Sequence, residues 1–371
     1  MPEAVWRGTV SIVSNMYKIT CFGLSLLFLI ATTACGSGSG SGGGPSGNPQ
    51  DHWLISLDYV ADGGPGIDGI PAIENPQFES VATTTTVAPG DRVIFLRDGG
   101  QVKAYPEDIM DYHEIVNDGP ADDPFTMSYC PLTGSQVAWK GTAAHADPTF
   151  GVSGLLYNSN LLLYDRETRS LWSQLLQLSV NGPRIGEQPE NIQVLVTTLA
   201  TLQSMYPDAL VMTRNTGHSR RYDIYLYGNY LETSQLLFGV SRQDGRMHNK
   251  QRVIGIHEGT TSRVYQLGAF GQSTKTINDQ FNDQSIVVVG NSALSYAAIY
   301  SRLLSDGTIL SFGPVQDDLP NVMVDTEGNV WDIFGTAVSG PRVDTQLNSV
   351  RSYTAMWFAW VSHFNTVELN F

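Results

Sequence analysis

Two motifs in the first half of the chain contain residues that could do thiol chemistry. Cys130 follows a predicted strand at 125–129 and opens the turn Pro-Leu-Thr-Gly-Ser. Backbone N–H groups can converge in such a turn and lower the pKa of a thiol. His113 stands in the motif Tyr-His-Glu-Ile-Val-Asn-Asp, and a strand and its return could bring it beside Cys130. We therefore expect Cys130 to be a nucleophile and His113 to be its base.

Further polar residues complete the predicted catalytic site. Glu114 and Asn117 follow the histidine closely and could orient its ring. Three others would form the polar wall of the site: Asp118, Arg166 and Ser153. Ser153 lies in Gly-Val-Ser-Gly, which is not a nucleophile elbow and is more typical of a bend between strands.

A thiolate and an imidazole are also ligands for a soft metal ion. Cys130 and His113 together favour copper or zinc. The sequence contains no His-Glu-x-x-His motif and no paired cysteines. The alternative is that Cys130 is a small core residue and His113 caps a turn. Spacing alone establishes neither a catalytic triad nor a metal site.

The elements that would position these residues occur twice in the chain. A shift of about 160 residues superposes much of the sequence on itself. The matching segments are 92–94 with 252–254, 103–105 with 263–265, 117–118 with 278–279, 164–172 with 324–331, and 182–184 with 340–342. We predict two repeat units, residues 60–217 and 218–371, with the candidate site in the first unit.

The two copies differ where chemistry is proposed. At an offset of 160, His113 falls on Ser273 and Cys130 falls on Gly290. Residues that agree between the copies are most simply determinants of turns and core packing. The second unit is therefore interpreted as a degenerate copy that keeps the fold without the site.

Short β-branched and aromatic runs dominate both copies and predict strands, for example at 93–96, 161–164, 192–196, 253–256 and 286–289. Helices are predicted only near 197–205, 292–304 and 353–363. We expect a mainly β fold with minor helix, built as two tandem β-barrel or sandwich-like units related by a pseudo-twofold axis. A doubly wound α/β fold is the weaker alternative, because too few helices are visible.

The N-terminus has the pattern of a signal peptide over residues 1–34. Arg7 and Lys18 precede the apolar run 22–31, and small residues lead to Cys35. The pattern resembles a lipobox, which predicts lipidation of Cys35. Residues 35–59 begin with a Gly/Ser repeat that suits a flexible tether. We expect an exported protein of the cell envelope, facing the periplasm or displayed on the cell surface, and anchored to a membrane through Cys35.

Charge and cysteine count narrow the function further. The formal net charge is −15, which argues against a nucleic-acid partner. The chain has three cysteines. Cys21 lies in the predicted signal peptide and Cys35 would carry the lipid, so Cys130 would have no disulfide partner.

The ordered motifs of the first half resemble one family. They are Lys-Ala-Tyr-Pro (103–106), His-Glu-Ile-Val-Asn-Asp (113–118), Tyr-Cys-Pro-Leu-Thr-Gly-Ser (129–135), Phe-Gly-Val-Ser-Gly-Leu-Leu (150–156), Tyr-Asp-Arg-Glu-Thr (164–168) and Ser-Leu-Trp-Ser-Gln (170–174), with Trp-Phe-Ala-Trp at 357–360. This set resembles the bacterial and archaeal family known as domain of unknown function 3179, over nearly the whole mature chain.

The resemblance implies membership of a family and no particular reaction. Members of that family often carry a second cysteine in a Cys-Pro-Leu-Cys turn, where this chain has Thr133. A dithiol or two-thiolate role is therefore not expected here, whereas a single-thiol role for Cys130 remains open.

Three functional hypotheses follow from the sequence. The first is an enzyme or redox protein that uses Cys130, as nucleophile or metal ligand, in the first unit. The second is a binding module for a small molecule or metal, without chemistry, with its ligand in the groove between the copies. The third is a structural protein of the envelope.

Overall fold

Short β-branched and aromatic runs form most of the strands in this computed structural model, which describes residues 52–141 and 147–370. The prediction of a mainly β fold is confirmed, with 42% strand and 10% helix. The predicted signal peptide, Cys35 and the Gly/Ser repeat lie outside the described residues. Within the described part of the chain, no helix is long and apolar enough to cross a membrane.

The first half of the chain contributes strands β1 to β15. They are β1 Val60–Asp62, β2 Ile73–Glu74, β3 Phe78–Ser80, β4 Arg92–Asp98, β5 Gln101–Pro106, β6 Ile115–Asp118, β7 Phe125–Cys130, β8 Ser135–Lys140, β9 Phe150–Tyr157, β10 Asn160–Asp165, β11 Leu171–Ser173, β12 Leu178–Asn181, β13 Asn191–Ile192, β14 Leu195–Thr198 and β15 Leu210–Met212. Helix α1 is Glu107–His113 and helix α2 is Leu199–Met205.

The second half contributes the remaining strands and one α-helix. They are β16 Arg252–Glu258, β17 Thr261–Gln266, β18 Lys275–Phe281, β19 Gln284–Asn291, β20 Tyr296–Ser301, β21 Phe312–Pro314, β22 Asn321–Asp325, β23 Val330–Asp332, β24 Ala337–Ser339, β25 Ser352–Met356, β26 Thr366–Asn370 and α3 Trp357–His363. Short 3-10 helices occur at Leu57–Tyr59, Tyr230–Glu232 and Leu267–Phe270.

These strands form six small sheets arranged in a ring, similar to a β-propeller. In the first half, sheet I has the order β14-β4-β5-β15-β3, sheet II the order β13-β8-β7-β6-β2, and sheet III the order β1-β9-β10-β11-β12. In the second half, sheet IV has the order β25-β16-β17-β26, sheet V the order β18-β19-β20, and sheet VI the order β21-β22-β23-β24.

The strand order of the first half recurs in the second. In sheet I, β4 pairs antiparallel with β5 and β14, and β15 joins β5 in parallel after helix α2. In sheet IV, β16 pairs antiparallel with β17 and β25, and β26 joins β17 in parallel after helix α3. Each of these sheets is thus closed by strands that return from the end of its own half.

The sheets do not form the two tandem barrels or sandwiches, each with its own core, that were expected. One apolar cluster joins residues of sheets I, V and VI, such as Phe95, Val287 and Trp331. A second cluster joins sheets II, III and IV, such as Trp139 and Val264. Because each large core contains side chains from both halves, six sheets in a ring replace the expected pair of separate barrels.

The predicted helices were partly wrong. The stretch 292–304 contains strand β20 instead of a helix. Tyr296 and Tyr300 pack in one core and Ile299 packs in another, so both faces of this strand are apolar. A continuous apolar stretch of this kind cannot be distinguished from a buried helix by its periodicity. Helix α3 begins only at Trp357, after β25, and helix α1 was not predicted.

The strand register also corrects the comparison of the two copies. Asp118 pairs with Phe125 in the first half, and Asp279 pairs with Ile286 in the second. Counting along the paired strands sets Cys130 against Asn291, instead of Gly290. By the same register His113 corresponds to Thr274, so the second half still lacks both candidate residues.

Residues common to both halves make the same hydrogen bonds. Trp172 Nε1 donates to Asp165 at 2.9 Å, and Trp331 Nε1 donates to Asp325 at 2.9 Å. All four side chains are buried. The repeated motif therefore fixes a strand and its return around one indole in each half.

Candidate functional site

Cys130 is a buried thiol at the end of β7. Its side chain has no exposed area, and its Sγ lies 3.9 Å from the carbonyl oxygen of Ser159. Burial, and then the charge of Glu114, raises the pKa of the Cys130 thiol to about 11. The thiol is therefore protonated at neutral pH, which opposes a role as nucleophile.

His113 ends helix α1 and is also fully buried. Its Nδ1 lies 2.8 Å from the carbonyl oxygen of Pro71, and its Nε2 lies 2.7 Å from the hydroxyl of Tyr222. A carbonyl can only accept, so Nδ1 carries the proton and Nε2 accepts from the tyrosine. Burial lowers the pKa of His113 to about 4, which keeps the ring neutral.

The predicted copper or zinc site at Cys130 and His113 does not fit this arrangement. Both ring nitrogens of His113 already bond to protein oxygens. Among the described residues, no group of three or more His, Cys, Asp or Glu side chains is placed to hold a metal ion. The atoms around Cys130 and His113 therefore give no support to a copper or zinc site.

The three predicted wall residues are occupied in structural contacts. Asp118 accepts from Tyr105 at 2.7 Å and pairs with Lys103 at 3.1 Å. Arg166 pairs with Glu74 at 2.7 Å. The hydroxyl of Ser153 donates to the carbonyl oxygen of Leu162 at 2.5 Å within sheet III. Their partners lie in strands β2, β5 and β10 and do not include Cys130 or His113.

Glu114 is the acidic residue that influences Cys130. It follows α1 with φ 58° and ψ −30°, a backbone conformation that is strained for a side chain other than glycine. Its N–H donates to Met110, and its carbonyl oxygen accepts from the N–H of Tyr129 at 2.7 Å. Burial alone raises the pKa of Glu114 to about 8. The carboxyl group is therefore mostly neutral at pH 7 and can donate a hydrogen bond.

Glu114 lines a cavity of about 330 Å³ whose other walls are largely apolar. The walls come from the β1 region, β9, the turn after Cys130 and the segment 227–238. Its lining residues are Gly63, Pro65, Ile70, Glu114, Leu132, Val152, Gly154, Leu155, Leu156, Tyr227, Leu237 and Phe238. This combination of an aliphatic wall and one neutral carboxyl suits a small apolar molecule with one polar group.

A glycine in β9 sets the shape of one wall. Gly154 has φ +81°, and a Cβ at this position would lie 2.8 Å from the backbone of Gly66. The carbonyl oxygen of Gly154 accepts from the N–H of Gly63 at 2.8 Å. A side chain here would push the 63–66 turn away from the sheet, so the close approach requires glycine.

The segment 213–251 crosses over the site as a strap. The hydroxyl of Tyr230 donates to the carbonyl oxygen of Leu132 at 2.8 Å. The Nζ of Lys250 donates to the carbonyl oxygens of Tyr230, Thr233 and Gln235 at 2.6–2.7 Å. The bond of Tyr230 holds the strap against the turn that follows Cys130, and the bonds of Lys250 hold the backbone of the strap together.

A second buried acid lies behind the site. Asp111 is 9% exposed, its Oδ1 has no hydrogen-bond partner, and its pKa is raised to about 8 by burial and then by Glu107 and Asp108. Glu107 itself is bonded to Arg92 at 3.0 Å and to Arg252 at 3.2 Å. Of these three acids, Asp111 and Glu114 are mostly protonated at pH 7, whereas Glu107 is paired with two arginines.

The fold and the site define a mainly β, propeller-like protein with an aliphatic cavity and a neutral carboxyl in its wall. Residues 67–367 match the family described as "Protein of unknown function (DUF3179)", and the chain belongs to this family. Neither the curated proteins nor the solved structures that were compared contain a match.

The motif predicted from the sequence lies at the cavity through Glu114, whereas Cys130 and His113 are not in the lining. Glu114 was assigned only to orient His113, whereas it lines the cavity. The aromatic residues of the strap, such as Tyr227, were missed because 218–250 resembles a polar linker. The one signal in the sequence was the cluster of four tyrosines at 222–230.

Proposed function

We propose that this protein binds a small, mostly apolar ligand in the Glu114 cavity and holds it near a membrane through lipidated Cys35. The observation that carries the proposal is the lining of the cavity, in which one neutral carboxyl stands among aliphatic and aromatic side chains. A cavity of about 330 Å³ lies at the small end of the usual range for ligand sites.

Several features support a ligand with one hydrogen-bonding group. Charged ligands would meet no counter-ion among the lining residues, since the pKa of Glu114 is raised to about 8. A hydroxyl, amine or amide could accept from or donate to the carboxyl. Two exposed leucine or isoleucine side chains lie near the cavity: Leu237 in its lining and Ile67 in the turn beside Gly66. They suit the entry of an apolar molecule.

Export and anchoring rest on the sequence. The apolar run 22–31, the small residues before Cys35 and the Gly/Ser repeat after it fit a lipoprotein that is tethered to a membrane in the cell envelope. A tether to the membrane would keep a binding protein close to its apolar ligands, because such molecules partition into the membrane. The expected partners are the membrane and the small ligand, and the net charge of −15 argues against nucleic acid.

A second candidate function is thiol chemistry at Cys130. It rests on one observation, which is that Glu114 lies close enough to Cys130 for its charge to act on the thiol. Glu114, instead of His113, would then accept the proton in its ionised form, which predominates only above a pH of about 8. The binding function is preferred because a pKa of about 11 leaves little thiolate at pH 7.

Fluorescence titration with 1-aminoanthracene tests the binding function. We expect saturable binding to the wild-type protein, and Leu155→Trp should weaken it about tenfold or more by filling the cavity (roughly 1.4 kcal/mol). Leu231→Trp is the matched control, since Leu231 is exposed on the strap and is not in the lining. Equal affinity of all three proteins would refute the proposal.

A further inference from the structure

A second cavity, of about 680 Å³, lies where sheet III meets sheet IV. It shares no lining residue with the Glu114 cavity. Polar side chains of several kinds project from its walls, among them His257, Arg351, Gln188 and Ser349, and Leu176 and Leu178 supply an apolar side.

His257 in this cavity has an unsatisfied ring nitrogen. Its side chain is 7% exposed, and its Nε2 is buried with no hydrogen-bond partner. The ring is held by Phe364, at 4.8 Å between centroids, and by Tyr353 at 5.9 Å. Burial, then the charges of Arg351 and His363, lowers the pKa of His257. A buried polar atom of this kind is costly unless a ligand or water satisfies it.

Arg351 lies beside His257 at the end of a strand pair. Ile256 of β16 pairs with Ser352 of β25, so the residues that follow and precede them are neighbours. Burial lowers the pKa of Arg351, and no carboxylate among the described residues forms an ion pair with it. Glu258 is the one acidic residue in the lining, and its carboxylate accepts from Asn282 at 2.7 Å.

In the first half, the position equivalent to His257 holds an arginine that is paired with an acid. By the registers of β4 and β16, Arg97 corresponds to His257. Arg97 pairs with Asp332 at 2.8 Å. The hairpin motif that matches Trp331 to Trp172 also matches Asp332 to Ser173, so the second location lacks this carboxylate.

From Arg351, which forms no ion pair among the described residues, and from the unsatisfied Nε2 of His257, we infer that this cavity binds an anionic group, a carboxylate or a phosphate, of a small molecule. The guanidinium would hold two oxygens of the anion, and His257 Nε2 would donate to a third atom or to one of these oxygens. Gln188 and Ser349 are further donors in the lining. The site is independent of the Glu114 cavity and of the function proposed for it.

Calorimetric titration of the full-length protein in detergent tests the site, with inorganic phosphate and succinate as probes. We expect at least one of them to bind, and Arg351→Gln should weaken that binding about tenfold or more (roughly 1.4 kcal/mol). Arg221→Gln is the matched control because Arg221 is exposed and outside the lining. Tighter binding of succinate would indicate a carboxylate ligand, and tighter binding of phosphate a phosphate ligand.

A second readout separates a direct contact from a change in folding. Binding of the anion should raise the pKa of His257, measured by NMR titration of its ring nitrogens in the wild-type protein. Arg351→Lys keeps the charge and should bind with intermediate affinity if the glutamine variant is unfolded. Absence of binding by both probes up to about 10 mM, or equal binding by wild type and Arg351→Gln, would overturn the inference.

Discussion

The residues at the site owe their properties to burial more than to their chemical type. Cys130 and His113 are the reactive types in the motif, yet burial raises the pKa of the thiol and lowers that of the imidazole. Both are thereby kept neutral. Glu114 is also neutral for most of the physiological range, and it alone of the three lines the cavity.

The first prediction concerns the pH dependence of stability. The pKa of Glu114 is raised to about 8 in the fold against 4.5 in its absence, so the folded protein binds the extra proton between these pH values. The contribution of Glu114 to the free energy of unfolding should therefore fall as pH rises from about 5 to 8. Glu114→Gln should flatten this fall and raise the Tm at pH 8, where each 1 kcal/mol is worth roughly 2 °C or more.

Thermal unfolding from pH 5 to 9 measures this effect. Asp111 contributes in the same direction, so the double variant with Asp111→Asn should lose still less stability between pH 5 and 8 than Glu114→Gln alone. Glu232→Gln, at an exposed position, should follow the wild-type curve. A Glu114→Gln curve parallel to the wild type would show that Glu114 is ionised in the fold.

The second prediction concerns the reactivity of Cys130. The native protein at pH 8 should react with iodoacetamide at Cys130 at least about tenfold more slowly than the protein unfolded in urea, because the thiol is buried and protonated. Mass spectrometry of the peptide that contains Cys130 gives both rates. Rapid labelling of the native protein would contradict this prediction and would favour Cys130 as a nucleophile.

At this scale, the sequence indicated the motif 113–118 and the turn at Cys130, because reactive residue types are visible in it. It could not indicate which side chain faces the cavity. That depends on the positive φ of Glu114, which turns the chain between α1 and β6. His113 forms hydrogen bonds with Pro71 and Tyr222, which are distant from it in the chain. A local sequence pattern therefore cannot predict these contacts.

Among the elements, the hairpins around Trp172 and Trp331 are the clearest repeated unit. Each holds a buried indole by one hydrogen bond to a buried aspartate, Asp165 or Asp325. The two halves use this motif in different sheets, III and VI. We infer that it stabilises the fold and has no part in ligand binding.

The third prediction follows from these hairpins. Trp172→Phe and Trp331→Phe each remove a hydrogen bond to a buried carboxylate, which is worth about 1.5 to 3 kcal/mol. Trp139→Phe is the matched control, because the indole of Trp139 is equally buried and its Nε1 has no partner. Urea unfolding should show a larger loss for Trp172→Phe than for Trp139→Phe by about that amount. Equal losses would mean that the aspartate bonds add nothing.

Strands were predictable where β-branched runs met turn residues, as at Val93 to Leu96 and Ile286 to Val289, which lie in β4 and β19. Helix α1 was not, because its seven residues are too few to show a helical period. Strand β20 was taken for a helix, since two different cores bury its opposite faces.

For the whole molecule, the repeat was visible in the sequence and the ring of sheets was not. Matching segments reveal that two halves share an order of elements. They do not reveal that side chains of both halves meet in common cores, as Trp139 and Val264 do. Closure of the ring is a long-range property that only the packing decides.

The fourth prediction concerns the anchor. Cys35→Ser should move the protein from the detergent phase to the aqueous phase in phase partitioning, because the proposed lipid would be attached to the thiol of Cys35. Its thermal unfolding should match the wild type, since the Gly/Ser repeat separates Cys35 from the folded part. Cys21→Ser serves as the control and should stay in the detergent phase. A Cys35→Ser protein that remains there would place the anchor elsewhere.

The most direct test of the central claim is a crystal structure of the protein soaked with 1-aminoanthracene. The predicted result is one molecule in the cavity between Val152, Leu156 and Phe238, with its amine within hydrogen-bond distance of the Glu114 carboxyl. An empty Glu114 cavity at a concentration that saturates binding in solution, or a molecule bound only elsewhere, would contradict it.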